Sequence, residues 1–159
     1  MKMRLLLAIP VMFVLLFSCT AEPLQDDTII AVAENNVILE QEVLAVVNDH
    51  RASLGLNQLE FSEIAYKYAN KHTDYMISKG SLSHDNFSAR ASSINSEITV
   101  KMVAENVAKE YDTAMEAFEG WYQSSSHKKT MEGEFSHTAV SVKRNAEGDY
   151  YYTQLFYQE

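Results

Sequence analysis

The sequence predicts an α+β domain, with helices packed on a small, mainly antiparallel sheet. Three observations carry that reading. Apolar residues recur at three- and four-residue steps from Ile38 to Met76 and again from Ala114 to Tyr122. Residues 135–157 instead form two runs rich in β-branched and aromatic residues around one polar loop, the pattern of a hairpin. The helical segments do not alternate with strands as βαβ units, which points away from a parallel sheet. A chain of 159 residues has room for one domain.

The first eighteen residues stand apart. Lys2 and Arg4 precede an apolar run from Leu5 to Phe17 that is short for a bilayer span. Residues 1–18 therefore read as an export signal. The run ends in Leu16-Phe17-Ser18-Cys19, which resembles a bacterial lipobox. That resemblance implies a lipid on Cys19 and a membrane-anchored lipoprotein, at the cell surface or in the periplasm. Residues 19–36, with Pro23 and Asp26-Asp27, read as a tether, and Thr28 to Val32 suits a short strand. The domain itself is expected over residues 37–159.

Cys19 is the only cysteine, so the domain has no internal disulfide and no thiol catalyst. Lys2 and Arg4 are the only charged residues among the first eighteen. Without them, 11 basic side chains face 22 acidic ones, a net charge of −11. Such a surface repels phosphate backbones and argues against nucleic acid as a partner.

From Val37 the chain reads as a helix through Ile38, Leu39, Val43, Val46, Val47, His50 and Leu54, with Gly55 as its stop. Leu56 to Phe61 reads as extended. Ser62 suits an N-cap, and the next helix carries the stripe Ile64, Ala65, Tyr68, Ala69, His72, Tyr75 and Met76 before Gly80. Ser81 to Asn86 reads as a turn, Phe87 to Ile94 as a short helix and Glu97 to Val107 as extended. Asp112 is the expected cap of a further helix, and Ser124 to Glu134 reads as a polar turn. The closing hairpin runs from Phe135 to Lys143 and from Tyr150 to Tyr157. Alternation puts Tyr150 and Tyr152 on one face and Tyr151 and Tyr157 on the other, so half of these rings should be core. The remainder could line a glycan or lipid groove.

The candidate chemistry lies in His84, Glu105 and His127. His84 falls in a turn after a helix, Glu105 near the end of an extended run and His127 just after a helix, positions where functional groups collect. Two imidazoles and a carboxylate can hold a divalent cation such as zinc, or do acid–base work on a bound water. They can equally form a buried hydrogen-bonded network, and their spacing matches no local metal motif. His72 and His50 lie at helical apolar positions and read as packed residues. His137 reads as either packed or facing the cleft. No serine nucleophile motif is present, so no catalytic residue is assigned; Ser124 to Ser126 beside His127 suits a turn. Trp121 reads as a core anchor.

Taken in order, these pieces resemble the CAP superfamily, the SCP-like domain of cysteine-rich secretory proteins, antigen 5 and plant pathogenesis-related proteins, in its short bacterial branch. The resemblance covers about Leu39 to Phe156. It rests on Val47 to Leu56 with Leu59-Glu60-Phe61, on Leu82-Ser83-His84, and on Ala104-Glu105-Asn106-Val107-Ala108. It rests also on Gly120-Trp121 with Ser124 and His127-Lys128, and on Phe135 to Val142. It implies an α–β–α sandwich with a central cleft that commonly holds two His and two acidic residues. His84, Glu105 and His127 fill three of those places, and Ser124 stands at the fourth. Ala139 and Ser141 stand where strand glycines are usual, and Thr130 where Asn is frequent.

The reading that follows is a lipid-anchored binding module outside the cytoplasm. Its cleft would bind a divalent cation or a small polar ligand, with an envelope, lipid or protein partner. The alternative is a metal-assisted hydrolase of cell-envelope peptides. Fold alone does not choose between them.

Overall fold

The computed structural model describes residues 33–159. The expected signal segment 1–18, the lipidated Cys19, and the tether with its short strand at Thr28 to Val32 lie outside the described residues. The elements in chain order are α1 (Val37–Ser53), β1 (Glu60–Phe61), α2 (Glu63–Lys79), α3 (Phe87–Glu97), β2 (Met102–Lys109), α4 (Ala114–Gln123), α5 (Ser125–Met131), β3 (His137–Arg144) and β4 (Tyr150–Gln158). No helix among the described residues is long and apolar enough to cross a membrane.

The strands form one sheet in the order β1-β3-β4-β2. β4 pairs antiparallel with both β3 and β2, so Ala139, Leu155 and Glu105 lie side by side across three strands. The two-residue β1 adds a parallel edge to β3. Because side chains alternate along a strand, the sheet has two buried faces. One face, with Val140, Val142, Tyr152 and Phe156, packs against Leu39, Val43 and Val47 of α1 and Ala117 and Trp121 of α4. The other, with Ala139, Leu155 and Tyr157, packs against Ala65 and Ala69 of α2 and Ile94 of α3. The result is the expected α–β–α layering. Each fully buried aliphatic or aromatic side chain contributes about 1.5–3 kcal/mol.

Helices covering both faces change the expectation for the tyrosines. Tyr151, Tyr152 and Tyr157 are all buried, on opposite faces, so no tyrosine groove for a glycan or lipid forms along β4. Tyr152 also donates its hydroxyl to the Tyr111 carbonyl at 2.6 Å.

Local chemistry sets the helix ends. Ser62 accepts the Ala65 amide and Gly80 takes the left-handed conformation, as expected for the two ends of α2. Four boundaries differ from the sequence expectation. Asn35 bridges to Lys143 and Asn36 caps α1, so the domain begins before Val37. α3 continues to Glu97 because Ile94 is buried and Asn95 then accepts the Val100 amide, closing the turn; β2 starts only at Met102. Thr113, not Asp112, caps α4, since Thr113 and Glu116 form a reciprocal capping box. The stretch after Ser124 is a helix, α5, despite its polar composition, because Met131 is anchored in the core.

Arg51 fixes the far end of α5. Its guanidinium is fully buried and donates to the Met131 carbonyl at 2.7 Å, the Gly133 carbonyl at 2.8 Å and the Asn57 carbonyl at 2.9 Å. These are helix-terminal and loop carbonyls, of which that of Gly133 also accepts the Phe135 amide at 2.9 Å.

Candidate functional site

Glu105 is the hub. It lies on the edge strand β2 and points to the α2/α3 face, its side chain 1% exposed. A buried carboxylate of this kind needs partners, and three elements supply them. Arg90, on α3, grips it with two prongs: Nε donates to Oε2 at 2.9 Å and Nη2 to Oε1 at 2.8 Å. His84, in the α2–α3 turn, meets Oε1 through Nδ1 at 2.9 Å. His72, on α2, brings Nε2 to 3.6 Å from the same oxygen. Arg90 also donates through Nη1 to the Asp85 carbonyl at 2.6 Å, which ties the His84 turn to α3.

These contacts fix the proton positions. The Ser83 carbonyl lies 2.6 Å from His72 Nε2 and can only accept, so that nitrogen carries the hydrogen. His72 Nδ1 is then the lone-pair atom, buried and without a partner among the described residues. Burial pushes the His72 imidazole below its ordinary pKa, and Arg90 and His84 add to that against the opposing pull of Glu105. By the same logic His84 Nδ1 donates to Glu105, which leaves Nε2 of the neutral ring as an acceptor with no partner among the described residues, on a half-exposed ring. His127 sits on α5, where burial first and His84 second hold its pKa down. The Asn106 side chain, on the opposite face of β2 from Glu105, donates to the His127 carbonyl at 3.1 Å and so seats α5 against the strand.

A groove of about 260 Å³ opens over this edge. His84, Phe87, Val103, Ala104 and Glu105 line it, and Thr130 of α5 closes the other side. Of the three residues singled out in the sequence, His84 and Glu105 are in contact and line the groove, whereas His127 lies on α5, which reaches the groove through Thr130; Arg90 was missed. His72 is the core residue expected and also part of the network. The signal for Arg90 was available: Phe87, Arg90 and Ile94 share one helical face, and a charge on an apolar stripe implies a buried partner.

The arrangement does not fit the cation expected at His84, Glu105 and His127. Every nitrogen directed at Glu105 is an N–H donor, so a metal on this carboxylate would meet no imidazole lone pair, and His84 Nε2 diverges from it on the far side of the ring. The guanidinium already covers both carboxylate oxygens. At about 4 Å and an effective dielectric of 20, each unit of like charge costs about 4 kcal/mol, so a divalent ion beside Arg90 faces roughly twice that. Among the described residues no group of three or more His, Cys, Asp or Glu side chains is arranged to hold a metal ion.

The remaining histidines lie elsewhere. His50 packs edge-on against Phe118 and Tyr122 and reaches Glu132 at 2.9 Å, as a packing residue should. His137 stacks on Tyr157 with centroids 4.8 Å apart and pairs with Ser136, beside β1 and across β4 from β2, so it is outside the cleft. The Ser124 hydroxyl pairs with Ser126, 3.2 Å away. Trp121 is 1% exposed and donates Nε1 to the Val107 carbonyl at 3.1 Å, the anchor expected.

Comparison with known proteins agrees with this architecture. An outer surface protein of Borrelia burgdorferi superposes with a TM-score of 0.71 at 16% identity, over 80% of this chain and 98% of its own. An extracellular, SCP-domain protein of Bacillus anthracis str. Ames gives 0.67 at 22% identity, over 77% of this chain and 41% of its own. A cysteine-rich secretory protein of Staphylococcus aureus subsp. aureus Mu50 gives 0.68 at 18% identity, over 78% and 39%. In sequence, the chain is 28% identical over 123 residues to the uncharacterized membrane protein YlbC of Bacillus subtilis (strain 168), covering 74% of this chain but only 34% of that protein. The family model for CAP, the Cysteine-rich secretory protein family, matches residues 44–156. With the α–β–α layers and the His84–Glu105 cleft in place, that match makes the chain a member of the CAP family.

Proposed function

We propose that this CAP domain is an extracytoplasmic binding module, anchored to the membrane through lipid on Cys19, whose cleft takes a small polar ligand of the cell envelope. One observation carries the ligand class. His84 is held with its Nδ1 hydrogen on Glu105, so its Nε2 lone pair is free at a half-exposed ring that lines the groove. Such a site accepts a hydrogen bond from a ligand hydroxyl or amide N–H, with Phe87 and Val103 as apolar walls. The metal-assisted hydrolase, with Glu105 or a His as base, draws less support, because Arg90 holds both oxygens of Glu105.

The test is a titration of soluble peptidoglycan fragments followed through the imidazole ¹⁵N resonances. Shifts at His84 and His127 that vanish in His84→Ala are expected. Unmoved resonances across fragments of both sugar and peptide type would end this reading. The anchor is tested separately by a palmitate analogue: label retained in Cys19→Ala would remove the lipoprotein part.

A further inference from the structure

We infer that Arg90 is the resident cation of Glu105: its guanidinium occupies the place on this carboxylate that a divalent metal would need. Three observations converge on this. The fork is bidentate, at 2.9 and 2.8 Å, and Arg90 Nη2 also lies 2.7 Å from Oε2, so the charge spans both oxygens. The guanidinium is itself fixed, because Nη1 is held by the Asp85 carbonyl at 2.6 Å and the side chain is 10% exposed. Finally, neither imidazole beside this carboxylate offers it a lone pair: His84 turns its Nδ1 to Oε1 at 2.9 Å as a donor, and His72 Nε2, 3.6 Å away, is committed as a donor to Ser83.

An arginine differs from a bound ion in what it does for the site. It cannot dissociate, exchange or be chelated, and it stays charged at all working pH values. It therefore fixes the orientation of Glu105 permanently, and through Glu105 the tautomer of His84. The acceptor that faces the groove is thus set by the protein chain and not by the supply of an ion. Arg90 is a positioning residue here; it acts on the ligand through Glu105 and His84.

The inference concerns the cleft of the preceding section but stands on the Arg90 geometry alone. A failed ligand titration leaves it untouched, and cleft-dependent zinc binding would sink it without touching the polar-ligand reading. The experiment is zinc calorimetry on the full chain in detergent micelles, beside His84→Ala, Arg90→Met and the Arg90→Met/His84→Ala double variant. In the parent chain no zinc heat should depend on His84, and EDTA should leave thermal unfolding unchanged. Arg90→Met frees the carboxylate beside His84, and should give His84-dependent zinc binding at least about tenfold tighter than any in the parent chain. Cobalt(II) in the same variant should give a visible absorption band that the double variant lacks. Zinc binding by the parent chain that is lost in His84→Ala would overturn the inference. So would a folded Arg90→Met protein with no gain in zinc binding, since the guanidinium would then not be what excludes metal. If Arg90→Met does not fold, the parent and His84→Ala titrations decide alone.

Discussion

The Asn106 side-chain amide donates to the His127 carbonyl at 3.1 Å, so the residue after Glu105 holds the helix whose Thr130 lines the groove. Neighbours on one strand thereby control both sides of the groove, Glu105 through its α2/α3 face and Asn106 through the other. Asn106 is fully buried. Replacing it by Ala leaves the His127 carbonyl without its donor and should cost about 1–3 kcal/mol in urea denaturation. The His127 ring resonance should broaden while that of His84 stays sharp.

Glu105 and Arg90 should prove strongly coupled. Glu105→Ala or Arg90→Ala each leaves a buried charge without its partner, and each should destabilise by about 3–5 kcal/mol. The apolar pair Arg90→Met/Glu105→Leu should recover much of that loss. Urea denaturation of the two single variants and the pair gives the coupling directly; additive losses would mean that the fork contributes little.

Stability should fall on mild acidification. His72 has a folded pKa lowered below its ordinary 6.5. As pH drops through 6.5, the unfolded chain gains a proton that folded His72 resists, so stability declines until pH passes the lowered folded value. Above 6.5 this contribution is fully present. The slope in that window reaches at most about 1.4 kcal/mol per pH unit. His127 is shifted the same way and steepens the fall. Thermal unfolding of the parent chain and His72→Gln from pH 7.5 to 5 tests this, with a shallower decline expected in the variant.

Arg51→Lys should be severely destabilising although it keeps the charge. Lysine cannot reproduce the fork that serves the Met131, Gly133 and Asn57 carbonyls together. A loss of about 2–4 kcal/mol is expected from stranding two or more buried acceptors. A change below 1 kcal/mol in urea denaturation would show that water replaces the guanidinium.

Much of this molecule was legible in the sequence because its local chemistry agrees with its fold. Ser62 and Gly80 bound α2 by capping, and alternation in β4 sorted its tyrosines correctly by face. Their burial was not legible, since it depends on which helices return to cover the sheet. α5 escaped because serines and lysines give it no stripe; its own Met131 anchors it in the core, and Arg51 and Asn106 hold it from distant parts of the chain. The site divides the same way. His84, Glu105 and His127 stand out as residue types in predicted loops and element ends, but the arginine partner of Glu105 is 15 residues away on helix α3. Only the packed fold shows that an arginine reaches it.

The entry of the chain has a mechanical consequence. The Asn36 amide is bonded to the Val142 carbonyl at 2.8 Å, Asn35 bridges to Lys143, and the Asn36 side chain donates to the Tyr150 hydroxyl. A pull on the residues ahead of Asn35 is therefore taken first by β3 and the start of β4. β2, with Glu105, lies beyond β4 on the opposite edge of the sheet. Load applied at Asn35 and Asn36 falls on one side of the sheet while the groove sits on the opposite edge, so tension on the chain and occupancy of the cleft are handled by separate strands.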